Sequence, residues 1–286
     1  MKTIKNMLVL FIGLLFVQIT VASDLIEAKE LAKIIKDKNV VIISAQKSSL
    51  YNDFHITGSI NLPPANLVNN EPIPYILKDV PELEKIIGAK GISETNTIII
   101  YDEGSSKYSG RLFWVFKYLG VQDVRLLNGG IESWKAIRKP VTTSATKLKA
   151  TTFRANVQNQ YLATLDEVKK ATTDPSYVII DARSEEEYAG TNETDLRKGH
   201  IPNAVHIEYK DVIASNGKLK SAEQLTALYA SKGVTPDKTV IIYCKTSVRA
   251  AIEFAALNSV LGYENVKVFD GAFCEWCSDK STKVVL

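Results

Sequence analysis

The run VIIYCKTSVR, residues 240–249, sets Cys244 directly behind four apolar residues and ahead of Lys245, Thr246, Ser247, Val248 and Arg249. A small buried cysteine would be surrounded by apolar residues, whereas this one is followed by two cations and two hydroxyls. Loop amides, the N-terminus of a following helix and these cations all favour thiolate over thiol and attract an anion. The chemistry that fits is nucleophilic attack by sulfur, through a covalent intermediate. A second polar pair, Asp181 and Arg183, ends the similar run VIIDAR. Two further cysteines, Cys274 and Cys277, form a C-x-x-C in FCEWC. Three cysteines, all in the last fifth of the chain, do not make a disulfide framework. Cys274 and Cys277 read either as a redox pair able to form a disulfide or as two unrelated thiols.

These residues need a scaffold, and the chain supplies it twice. IIIYDEGSSKYSGRLFWVFKYLG and VIIYCKTSVRAAIEFAALNSVLG align without a gap at an offset of 142 positions, which also relates Trp134 to Trp276. Upstream, NVVIISAQ pairs with SYVIIDAR and HITGSINL with HIPNAVHI, and the second copy carries eight extra residues between them. Short runs that are apolar throughout, such as VIIY and VKVF, read as strands buried on both faces. They alternate with amphipathic segments of helical spacing, so each copy is expected to be a parallel sheet covered by helices on both faces. Ligands bind beyond the carboxyl ends of such strands, where Cys244 falls.

The first copy is an internal control. Asp102 stands where the second has Cys244, Lys107 for Arg249, Ser44 for Asp181 and Gln46 for Arg183. A carboxylate suits a helix N-terminus, but it repels anions and cannot carry sulfane sulfur, so this copy reads as a scaffold. His200 is tempting as a general base, yet its twin His55 sits in the copy without the cysteine. It is therefore read as architectural, as are the two tryptophans.

DARSEEEYAG…RKGHIPNAVHI, the loop CKTSVR and VFDGAFCEW together resemble the rhodanese family, and the likeness covers both copies. The tandem form, with a cysteine only in the second half, is similar to thiosulfate and 3-mercaptopyruvate sulfurtransferases. The resemblance implies sulfur transfer from thiosulfate or a similar donor to cyanide or a thiol through a persulfide on Cys244, with no metal or organic cofactor. It gives the amides of Lys245 to Arg249 the role of cradling the sulfur and puts Arg183 at the anion entrance. Asp181 is read as holding strand end and loop together. Arg249 either binds the donor or pairs with a carboxylate. A basic residue directly after the cysteine tilts the donor towards thiosulfate. Ser247 departs from the glycine of many relatives and would be strained at positive φ. The Cys-x4-Arg loop is one residue shorter than the Cys-x5-Arg loop of related phosphatases and arsenate reductases, which favours sulfur over phosphate. A persulfide carrier or docking module, with a protein sulfur acceptor, is the alternative reading.

Composition, at 45% hydrophobic and 23% charged with net charge +3, is that of a globular chain, and no basic stripe interleaved with aromatics points to nucleic acid. Residues 1–23 combine Lys2 and Lys5, an apolar stretch and Val21-Ala22-Ser23, the pattern of a signal peptide. Export, to the periplasm in a bacterium, is expected, with membrane contact only through that segment; an uncleaved anchor is the alternative. The remaining organisation reads as a non-catalytic domain over 24–140, a surface linker rich in Thr, Ser and Lys over 141–160, and a catalytic domain over 161–286. A tandem pair can bury its own interface, so a monomer is expected.

Overall fold

The computed structural model describes residues 24–193 and 196–286; the expected signal segment, 1–23, lies outside them. The first copy contains a five-stranded sheet of β1 (Leu25–Ile26), β2 (Val40–Ser44), β3 (Ile60–Asn61), β4 (Thr97–Tyr101) and β5 (Val124–Leu127), in the order β1-β5-β4-β2-β3. The second repeats it with β6 (Leu162–Ala163), β7 (Tyr177–Asp181), β8 (Ala204–His206), β9 (Thr239–Tyr243) and β10 (Val266–Phe269), in the order β6-β10-β9-β7-β8. Every pairing within the two sheets is parallel. The central strands are β-branched runs buried on both faces, as helical cover requires. Register places Asp181 opposite Tyr243 at the carboxyl end of β7 and β9, so the two candidate loops leave the sheet side by side.

Helix α1 (Lys107–Tyr118) follows β4, and helix α2 (Ala250–Phe254), extended by a π-helical stretch Ala255–Val260, follows β9. These two helices pack against each other across the boundary between the copies. A Cβ on Gly110 would lie 2.9 Å from the backbone of Ile252, so only glycine allows this approach. The largest hydrophobic cluster accordingly draws on both copies, from Ile43 and Phe113 to Phe254 and Val268. The outer face of each sheet has its own smaller cluster, built around Trp134 in one copy and Trp276 in the other.

The segment expected to be a linker is fastened to the first copy. Val141–Thr142 pairs antiparallel with His55–Ile56, Thr151 donates to the carbonyl of Gly88, and Phe153 is buried. The chain's tail does the same for the second copy, where Val285 bridges His200. Each histidine is gripped alike: His55 stacks on Tyr51 and bonds its carbonyl through Nδ1 at 2.7 Å, and His200 does so with Tyr188 at 3.0 Å. The two equivalent tryptophans also match, Trp134 donating to the carbonyl of Pro140 and Trp276 to that of Lys283. These residues brace the fold in both copies alike.

Candidate active site

Cys244 is the first residue after β9 and is almost wholly buried, with Lys245 and Thr246 half-buried beside it. Helix α3 (Ala272–Ser278), which follows β10, packs beneath this loop: the amide of Phe273 donates to the carbonyl of Cys244 and that of Cys274 to the carbonyl of Lys245. Cys274 is buried and Cys277 half-buried. Thus the C-x-x-C helix is in backbone contact with the candidate loop.

The first copy shows what this strand–loop–helix unit can hold. The carboxylate of Asp102 accepts from the amides of Gly104, Ser106, Tyr108 and Ser109, at 2.9, 3.1, 3.2 and 3.1 Å. Four backbone donors converge on one negative group, and the loop carries its own anion. In the second copy a cysteine replaces that carboxylate. The two loops differ in detail: Gly104 and Ser106 have positive φ in the first, whereas Ser247, at φ 58°, has it in the second. Ser247 is buried, and its hydroxyl lies 2.7 Å from the carbonyl of Thr246 and 3.1 Å from Oδ1 of Asp270. The left-handed conformation expected to strain a serine is present, and the side chain is hydrogen-bonded where glycine would have none.

Arg249 pairs with a carboxylate. Its two terminal nitrogens meet Glu187 at 2.5 and 2.8 Å, a bidentate contact that orients the guanidinium beside Cys244. Burial disfavours charge on Glu187, but Arg249 outweighs it and holds the carboxyl at about 2. Burial likewise opposes the charge on Arg249, and Glu187 with Cys244 overcomes it, raising its pKa above the usual arginine range. Glu187 itself is fixed by a capping box with Ser184.

Arg183 is not at an entrance. It is fully buried, with Nη2 2.7 Å from Asp181 and 2.8 Å from the carbonyl of Gly199, and its guanidinium lies 3.9 Å from the Phe273 ring centre. Asp181 also accepts from the Arg183 amide and from the Tyr243 hydroxyl, at 3.0 and 2.5 Å. Paired and stacked in this way, the arginine turns inward as a brace behind the loop. Ser44 and Gln46 hold the same places in the first copy and bond each other as a neutral pair at 2.9 Å.

Three residues of the site were not found by their local sequence. Glu187 hides in an acidic run, and Asp270 follows β10 like any loop residue. Arg111 is a lone cation in the apolar run GRLFWVF of α1, and that oddity is the one local clue. The structure also buries Glu253 completely, one turn beyond Arg249. Burial pushes its carboxyl well above the ordinary range and favours the protonated acid.

A duplicated parallel-sheet unit, with a cysteine loop in one half and a self-occupied loop in the other, defines a tandem-domain α/β protein. The rhodanese-like domain profile matches residues 27–137 and 164–279. The chain belongs to the rhodanese family and is a rhodanese-type sulfurtransferase. It is 32% identical, over 79% of its length and 81% of the other's, to a "Putative thiosulfate sulfurtransferase" of Haloferax volcanii. It is 33% identical, over 68% of its length and 73% of the other's, to the "Sulfur carrier protein TtuD" of Thermus thermophilus. Among solved structures, an EanB variant in complex with ergothioneine superposes with a TM-score of 0.85 at 22% identity, covering 91% of this chain and 69% of that one. That likeness is one of fold.

Proposed function

We propose that the protein moves sulfane sulfur from thiosulfate to a thiophilic acceptor through a persulfide on Cys244. The thiolate attacks the outer sulfur of thiosulfate, the S–S bond breaks, and sulfite leaves with the bonding pair. Cyanide or a thiolate then attacks the outer sulfur of the persulfide and returns Cys244 as thiolate. Each step exchanges one sulfur nucleophile for another, so no metal or organic cofactor enters. The amides from Lys245 to Arg249 stabilise the anionic persulfide and the departing sulfite as an oxyanion hole does. Lys245 and Arg249 supply positive charge for a doubly charged donor. The observation that carries this reading is the Asp102 loop, in which the same unit binds a carboxylate through four amides.

The test is turnover with thiosulfate and cyanide. Cys244→Ser is expected to abolish thiocyanate formation while leaving the fold intact; activity in that variant would remove Cys244 from the mechanism. The name of the Thermus relative supports a second reading, a carrier that loads sulfur and discharges it only to a protein partner. Multiple turnover with small acceptors alone favours the enzyme. A loaded chain that stays loaded until a protein acceptor is added favours the carrier.

A further inference from the structure

We propose that the non-catalytic copy positions the sulfur-transfer loop, through Arg111, Asp270 and the hydroxyl of Ser247. This rests on the reading of Cys244 as the reacting residue. Asp270 lies at the carboxyl end of β10, in the catalytic copy. Its Oδ1 accepts from Nη2 of Arg111 at 2.5 Å and faces the Ser247 hydroxyl at 3.1 Å, while Oδ2 accepts from the amide of Leu77 at 2.9 Å. Arg111 and Leu77 both belong to the first copy. A continuous set of polar contacts therefore runs from the first copy to the third residue of the loop after Cys244.

Comparison of the two copies gives the arrangement its meaning. The 142-residue offset relates Leu77 to Leu219, Asp270 to Asn128 and Arg111 to Glu253. The neutral half of the contact is kept on both sides, since the Leu219 amide donates to Oδ1 of Asn128 at 3.0 Å. The Arg111–Asp270 ion pair has no equivalent between Glu253 and Asn128, whose amide instead donates to Glu27, the carboxylate that pairs with Lys218 across the copies. The loop reached by the ion pair is also the one that lacks an internal carboxylate: Asp102 fills the first loop, and in the second its place is taken by the sulfur of Cys244. Asp270 provides a carboxylate from beneath, and Arg111 fixes it. Ser247 makes the connection at a left-handed position where glycine would remove the contact with Asp270.

The ion pair is poor as a device for stability alone. Arg111 is fully buried, lies 4.7 Å from the ring centre of Trp114, and spends Nη2 on Asp270 and on the carbonyl of Tyr75. Among the described residues nothing accepts from its Nε or Nη1. A buried, incompletely satisfied arginine is costly, and such departures from good packing are expected where function demands them. Arg111, Asp270 and Ser247 are positioning residues, acting on sulfur transfer through the shape of the loop.

The experiment uses the full-length chain and the variants Arg111→Met, Arg111→Lys, Asp270→Asn, Ser247→Gly and the Arg111→Met/Ser247→Gly pair. Single-turnover loading of Cys244 at saturating thiosulfate and its alkylation by iodoacetamide are measured beside the melting temperature. Arg111→Met and Ser247→Gly are each expected to slow loading on the order of tenfold, the size of effect that small misplacements cause. The pair should be little slower than either alone, because both interrupt one connection. Arg111→Lys should recover most of the rate. Loading unchanged in folded Arg111→Met, or losses that multiply in the pair, would overturn the proposal. Should the methionine variant not fold, Ser247→Gly and Arg111→Lys decide it: wild-type loading in the glycine variant would overturn it. The alkylation rates separate this idea from the persulfide reading. A wild-type chain that never loads sulfur removes the function, whereas alkylation indifferent to Ser247→Gly removes the positioning.

Discussion

The ion pair beside Cys244 has a pH signature of its own. Glu187 holds its carboxyl at about 2, against an ordinary value of 4.5, because Arg249 outweighs burial. The folded state therefore binds this proton less readily than the unfolded state. The pair's contribution is complete above about pH 5 and is lost as pH falls towards 2. A shift of that size corresponds to at most about 3 kcal/mol. Acid titration of the melting temperature should fall more steeply between pH 5 and pH 2 in the wild type than in Glu187→Gln; parallel curves would contradict the assignment. At this scale much was legible in the sequence. Cys244 and its loop stood out because polar residues follow a buried strand, and the first copy showed that the scaffold does not need the cysteine. Arg183 was misplaced because the run DAR gives no sign of whether the arginine faces out or turns back on Asp181. Glu187 and Asp270 were silent because their partners lie 62 and 159 positions away.

The elements that matter are two strand–loop–helix units with one backbone plan and opposite solutions for negative charge. One fills its loop with Asp102; the other leaves it to a cysteine and takes support from outside. Helix α2 shows the cost of the second solution. Glu253 is fully buried against Tyr229, and among the described residues no hydrogen bond of good geometry satisfies its oxygens or the Tyr229 hydroxyl. Burial keeps the acid protonated in the folded state while the unfolded chain ionises it. Stability therefore falls as pH rises above about 4.5, by up to about 1.4 kcal/mol per pH unit, until the folded group ionises as well. Glu253→Leu should stabilise the protein, by more at pH 8 than at pH 5. Equal melting gains at the two values would show that the group is not held neutral. Strand and helix positions were readable from apolar runs and spacing, whereas this orphaned acid was not, because sequence does not report whether a partner is within reach.

The molecule as a whole is two copies sharing one core. Because α1 meets α2 backbone to backbone, Gly110→Val should destabilise both copies together, by roughly 1–3 kcal/mol. Urea unfolding followed at either copy should move by the same amount, and a shift confined to one copy would mean that the interface is loose. The duplication made the architecture plain from sequence, since the repeat fixes two equivalent sheets. What it concealed was the asymmetry of the interface, where Arg111 and Asp270 differ in charge from their counterparts Glu253 and Asn128. Sulfur at one atom decides the function. The full chain is treated with thiosulfate, its intact mass is measured, and the adduct is mapped by fragmentation. A gain of one sulfur atom is expected on the fragment that contains Cys244, reversed by cyanide and absent in Cys244→Ser. No gain, or sulfur found instead on Cys274 or Cys277 with Cys244 unmodified at every time point, would contradict it.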